Sequence, residues 1–152
     1  LPIHFDSIWS LAADRFVLGF SSLHGPGHWR RVEAHGLRIA ATSGADVVVV
    51  RLFAALHDSN RLNEHHDPEH GQRAADWATS LRDRHLSDLS DAQLDTLCAA
   101  MIEHDRGLTS PDPTIGTCWD ADRLDLWRVG MTPHPRYMST EAGRAACGRS
   151  PV

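Results

Sequence analysis

The sequence predicts an all-α fold, a compact bundle of six or seven helices. Three observations point there. Apolar residues recur at the 3.6-residue spacing of a helix along most of the chain. Residues that start and stop helices punctuate this pattern. The one segment with strong strand propensity, "VVVV" at 47–50, has no comparable second strand to pair with, and a lone strand leaves its backbone groups unpaired.

The first helix is expected from about Asp6 to Leu18, with Phe5, Trp9, Ala12 and Phe16 on one stripe. "SSLHGPGHW" breaks it. Pro26, between Gly25 and Gly27, is both a turn signal and a suitable first residue for a helix over Pro26–Thr42. "SGAD" closes that helix, and Asp46 can cap the next. The run "VVVVRLFAAL" is too long for an isolated strand and reads as a buried helix. "SNRLNEHHDPEHG" is a polar loop, followed by a helix over about Glu69–Arg84. Ser90 or Asp91 caps another helix, ending near Gly107. "LTSPDPTIGT" reads as a loop, "CWDADRLDLWRVG" as a helix, "MTPHPRYMS" as a break and "TEAGRAACG" as a short last helix. There is no internal repeat and no low-complexity segment.

The 152 residues suit a single domain over 1–152. A chain of that length buries roughly 70% of its unfolded surface, enough for one core. Hydrophobic content of 41% and charged content of 23% match a soluble globular protein. No apolar run approaches the roughly 20 residues of a membrane span, and no secretory signal is visible, although the chain opens on Leu1, as a trimmed sequence would. The three cysteines, Cys98, Cys118 and Cys147, are odd in number and widely spaced. They argue against a disulfide scaffold or zinc ribbon and fit a reducing cytoplasm. A net charge of −5 argues against nucleic acid as a partner but allows a small phosphate substrate opposed by local arginines. Oligomeric state stays open, since Trp119 and Trp127 suit either a core or an interface.

Histidine is the unusual component, at 11 residues. On ideal helices His28 shares a face with Val32, His35 and Ile39; His70 with Ala74, Trp77 and Leu81; His104 with Leu97 and Met101; Asp122 with Leu126 and Val129. His57 and Asp58 end the most apolar helix, in "LFAALHDSNR". Taken singly, each favours a hydrogen-bonded core residue, and His35 is read as one. His65 and His66 are read as solvated; His4, His24, His85 and His134 carry no signal. Burying several polar groups is costly unless they are paired or hold a metal, and their coincidence on four helices favours a metal site. Imidazole and carboxylate together suit iron, manganese, cobalt, nickel or zinc better than calcium or magnesium. The loop Asn60–Asp67 lacks the alternating ligands of a calcium loop. Periodicity leaves Asp122 in competition with Asp120, which shares a face with Leu124 and Trp127, and with Asp125.

His28 in "HGPGHWRRV", His57-Asp58 in "LFAALHDSNR" and Asp122 in "DADRLDL" resemble the H…HD…D pattern of the HD superfamily, over about His24–Val129. Its members are all-α and many are metal-dependent phosphohydrolases. In that family the metal-binding Asp precedes Arg-Leu, which selects Asp122. His70 in "DPEHGQRAA" and His104 in "MIEHDRG" resemble the extra histidines of binuclear members. The resemblance implies one or two divalent transition metals per chain. His28, His57 and Asp122 would hold the first, His70 and His104 the second, and Asp58 would bridge. The chain departs from some binuclear subgroups in having Glu103-His104 in place of two consecutive histidines, and it lacks the G-Y-P element of cyclic-dinucleotide phosphodiesterases.

Such a metal lowers the pKa of water to about 7 in favourable sites. Arg31, three residues after His28, and Arg61, four after His57, are candidates to reach the site mouth and fork onto phosphate, weighed against solvated surface positions. Arg123 is expected to pair with a local carboxylate, and "GPG" at 25–27 to act as a turn rather than a phosphate loop. The expected function is a metal-dependent phosphohydrolase acting on a small phosphorylated molecule or nucleotide. The alternatives are an HD-type di-iron oxygenase, which uses the same ligand order, and a non-catalytic metal- or nucleotide-binding module.

Overall fold

The computed structural model describes residues 2–149 and is all-helical among them. The α-helices are α1 (Phe5–Arg15), α2 (Pro26–Ser43), α3 (Val47–Leu56), α4 (His70–Ser80), α5 (Arg82–His85), α6 (Asp91–Glu103), α7 (Pro113–Arg123) and α8 (Glu141–Ala146), with 3-10 turns at Leu126–Val129 and Pro135–Tyr137.

The valine-rich run is helical and central. Asp46 caps α3 by accepting from the Val48 and Val49 amides at 3.0 and 3.3 Å. Every residue from Leu52 to Leu56 is buried. Around α3 pack α1, α2, α6 and α7. Gly36 lets α2 approach closely, because a Cβ there would press into the Val50 side chain. The core surrounds Trp29 and Phe53. Trp119 packs internally, its indole donating to the Ala100 carbonyl at 2.9 Å, and Cys98, Cys118 and Cys147 are free thiols. No helix is long and apolar enough to cross a membrane among the described residues.

Five boundaries differ from the sequence expectation. Helix α1 stops at Arg15, because Phe16 turns extended and sets its ring edge-on against Trp29, 5.3 Å between centroids. The helix expected over Glu69–Arg84 breaks at Leu81, whose amide is shared between the Trp77 and Ala78 carbonyls and tightens the turn. Helix α6 ends at Glu103, short of Gly107; its start has a full capping box between Ser90 and Gln93. The segment read as a proline-rich loop contains the start of α7. Asp112 caps it through the Thr114 and Ile115 amides, both at 2.9 Å, and Pro113 occupies the first turn. That helix ends at Arg123, so the Asp122, Leu126, Val129 stripe does not run along one α-helix; Val129 is exposed.

Candidate metal centre

The ends of five helices meet at one point. His28 lies in the first turn of α2 and His70 opens α4. His57 caps the C-terminus of α3, with Asp58 next in the chain, and His104 caps α6. Asp122 is in the last turn of α7. The four histidines and Asp58 are buried.

Helix ends also settle which ring nitrogen carries the proton. His57 Nδ1 faces the Phe53 carbonyl at 3.0 Å and His104 Nδ1 the Met101 carbonyl at 2.6 Å. The Phe53 carbonyl also accepts from the His57 amide and gives the ring its second lone pair, while the Met101 carbonyl lies in the last turn of α6, where intrahelical partners run out. His70 Nδ1 faces the Asp67 carbonyl at 2.5 Å, and His28 Nδ1 the Asp125 carboxylate at 2.7 Å. Carbonyls and carboxylates only accept, so each Nδ1 donates, and a ring that is otherwise neutral keeps its Nε2 lone pair for a metal. Phe53 stacks on the His57 ring, centroids 4.7 Å apart, and holds its plane.

All four Nε2 atoms turn to Asp58. Its Oδ2 is 3.5 Å from both His28 Nε2 and His57 Nε2. Its Oδ1 is 3.1 Å from His70 Nε2 and 3.4 Å from His104 Nε2. Asp122 Oδ1 joins the first pair, at 3.0 Å from His28 and 3.4 Å from His57. Within the pairs, the Nε2 atoms of His28 and His57 are 3.1 Å apart and those of His70 and His104 are 2.9 Å apart. Two imidazole lone pairs that close repel each other unless a proton or cation lies between them. Donors about 2.0–2.1 Å from a common metal ion stand roughly 3 Å from one another. The residues therefore fit a divalent metal: His28, His57 and Asp58; His57, His104 and Asp122; and Asp58, His70 and His104 each form a compact donor group.

The electrostatics of the cluster favour positive charge. Burial works to raise the Asp58 carboxyl, but His57 and the facing rings of His104, His24 and His28 hold it well below the usual carboxylate range. Burial likewise opposes ionisation of Asp122, and His28 and His57 overcome it. Burial lowers the His28 imidazole, yet Asp122, Asp125 and Asp58 more than reverse that and push it up to about 10. Burial dominates at His57 and pushes it down. The negative field of the carboxylates draws in positive charge, which a proton or a metal ion can supply.

The cluster opens into a cavity of about 410 Å³. Arg61, Arg123 and Arg128 line it on the charged side, and Leu126, Met131 and Met138 on the apolar side. Arg61 Nε stands 3.6 Å from Asp58 Oδ1, and its Nη1 donates to the Asn63 and His65 carbonyls. Arg31 is not part of the lining; it points its Nε at Asp125 Oδ1, 2.7 Å away, and so braces the carboxylate that orients His28. Arg123 does not pair with a carboxylate either. Its Nη1 donates to the Leu108 and Tyr137 carbonyls at 2.5 and 2.6 Å, tying two segments of the cavity wall together.

Several participants had no weight in the sequence. His24 Nε2 faces the Glu64 carbonyl, while its buried Nδ1 looks at Asp58 Oδ2 from 3.6 Å without a hydrogen bond. The available signal was its place four residues before His28 across the Gly25-Pro26-Gly27 turn. Asp125 was visible only as a rival to Asp122. Asp120, the other rival, is buried away from the cluster and accepts from Ser139 N, Thr140 N and Thr140 Oγ at 2.7, 2.8 and 2.6 Å. His35 is not a hydrogen-bonded core residue: it is half-buried, and its Nδ1 has no partner among the described residues. His65 and His66 are exposed.

No protein-family model matches the chain, and no curated protein matches it. Among solved structures, the chain is similar to a crystal structure of a predicted HD superfamily hydrolase from an uncultured Thermotogales bacterium. The TM-score is 0.75 at 24% identity, covering 95% of this chain and 83% of that one. The chain has the HD-domain fold, and the resemblance read from the order H…HD…D holds at that level.

Proposed function

We propose that the chain is a metal-dependent phosphohydrolase that cleaves a small phosphorylated molecule or nucleotide. One observation carries this reading: the two oxygens of Asp58 face two separate histidine pairs, His28 with His57 and His70 with His104. A carboxylate so placed suits a bridge between two cations, with Asp122 completing the first position. When bound, divalent cations supply a water of lowered pKa and neutralise charge on phosphoryl oxygens. The protein's own groups do the rest. Asp125 and the carbonyls of Phe53, Asp67 and Met101 hold the four Nδ1 protons and keep the Nε2 lone pairs aimed inward. Arg61 and Arg128 border the cavity as guanidinium donors for phosphate oxygens. Guanidinium donors beside the donor cluster favour hydrolysis of a phosphate over the dioxygen chemistry that a similar ligand order can support.

The test is metal content of the protein as purified, together with phosphate release from phosphomonoesters and nucleotides with and without oxygen. Metal-dependent, oxygen-independent release is expected, and Asp58→Ala should lose both metal and turnover while keeping its helical circular dichroism. Turnover that consumes oxygen would move the assignment to the oxygenase. Tight ligand binding without turnover would move it to a binding module.

A further inference from the structure

A second cavity, about 560 Å³, lies between α1 and α4 on the other side of Arg61. Its lining contains Arg15, Arg61 and Arg73 against a single acid, Asp14, in a chain whose net charge is −5. The arginines are held in place before any ligand arrives. Arg15 Nε donates to Asn60 Oδ1 at 2.8 Å, and its guanidinium carbon stands 4.8 Å over the Trp77 ring. Arg73 Nη2 donates to both oxygens of Asp67, at 2.7 Å each, and to the Asn60 carbonyl. Among the described residues Arg15 directs only Nε to a protein acceptor, so both terminal nitrogens remain for a ligand. A guanidinium fixed by a hydrogen bond and an aromatic face loses little freedom on binding, and its planar fork matches phosphate oxygens.

We infer that this cavity is an anion site for a small phosphate-bearing ligand, separate from the metal centre and sharing Arg61 with it as a common wall. Local positive charge inside an acidic chain selects anions, and the indole of Trp77 beside Leu11 and Leu62 gives the ligand an apolar flank.

The test uses inorganic phosphate as the probe and the Trp77 indole N–H resonance as the reporter, identified with Trp77→Phe. Phosphate should shift that resonance saturably in the wild-type chain. Arg15→Gln should weaken binding about tenfold, the scale of a lost charge-assisted contact. Asp14→Asn, which removes the acid in the lining, should tighten it about threefold. That gain is a result misfolding cannot mimic. Asp58→Asn should leave the titration unchanged, whether or not the metal centre is a phosphohydrolase. No saturable shift in the wild type would overturn the inference. So would Arg15→Gln and Asp14→Asn both titrating like the wild type, or a shift abolished by Asp58→Asn, which would put the ion at the metal centre.

Discussion

His28 Nδ1 donates to Asp125 Oδ2 at 2.7 Å, across most of the chain's length, and Asp125 is in turn held by Arg31. This contact fixes the ring orientation and leaves Nε2 facing Asp58 and Asp122. Groups that orient a metal-binding histidine from behind typically contribute 10–100-fold in metal affinity. Asp125→Ala should therefore weaken metal binding about 10–100-fold, with Asp125→Asn losing less because its amide oxygen still accepts. Calorimetric titration of the metal-stripped protein reads this out. Equal affinity in wild type and Asp125→Ala would remove Asp125 from the site.

Gly71 stands where α4 crosses α6. A methyl group there would collide with the Met101 carbonyl, the same oxygen that receives the His104 Nδ1 proton. Because backbone cannot yield as a side-chain tip does, Gly71→Ala should cost about 1–3 kcal/mol or more. It should also part His70 from His104 and lower metal content. A thermal melt and metal analysis of the same sample check both effects.

Asp120 sits under the C-terminal segment and satisfies two backbone amides, those of Ser139 and Thr140. Asp120→Ala leaves both without an acceptor, a loss of roughly 2–4 kcal/mol. Met138, just before them, lines the metal-site cavity, so substrate affinity should fall along with stability. Denaturant unfolding and KM measure the two. An unchanged unfolding midpoint would show that these amides find other acceptors.

His35 sits on α2 with its imidazole lowered below the ordinary histidine value. Burial is the main cause; Asp125 opposes it, and Arg38, Arg31 and His28 add to it. A histidine kept neutral in the folded chain is protonated more readily when unfolded. Its contribution to stability is therefore full above the unfolded value of about 6.5 and diminishes as pH falls below it toward the folded value. His35→Gln should lose less stability than the wild type between pH 7.5 and pH 5.5, values that bracket the ~6.5 of a free imidazole. Melting temperatures at those two pH values test it, and parallel slopes in the two proteins would exclude His35 as the source.

Much of the architecture could be read from local chemistry. Asp46 capping the valine run, the Ser90–Gln93 box and Pro26 at a first turn are decided within a few residues, so the sequence alone placed those helix starts. Inward-facing His28, His70 and His104 were also legible, because a polar residue on an apolar stripe has to be compensated once the helix packs. The stripe logic failed where the helix ended. After Arg123 the chain tightens into a 3-10 turn, so 3.6-residue spacing no longer reports direction; the family resemblance singles out Asp122, and the packed chain sets it beside His28 and His57, with Asp125 behind His28 and Asp120 under Ser139. His24 and Arg31 carry little local signal for the same reason: their surroundings come from distant segments, Asp58 for one and Asp125 for the other. The sequence by itself determined which helices form and which polar side chains must point inward, since propensity, capping and burial cost act locally. The tertiary structure alone decided that five helix ends meet at Asp58 with two histidine pairs on its two oxygens, because that arrangement depends on how the helices cross.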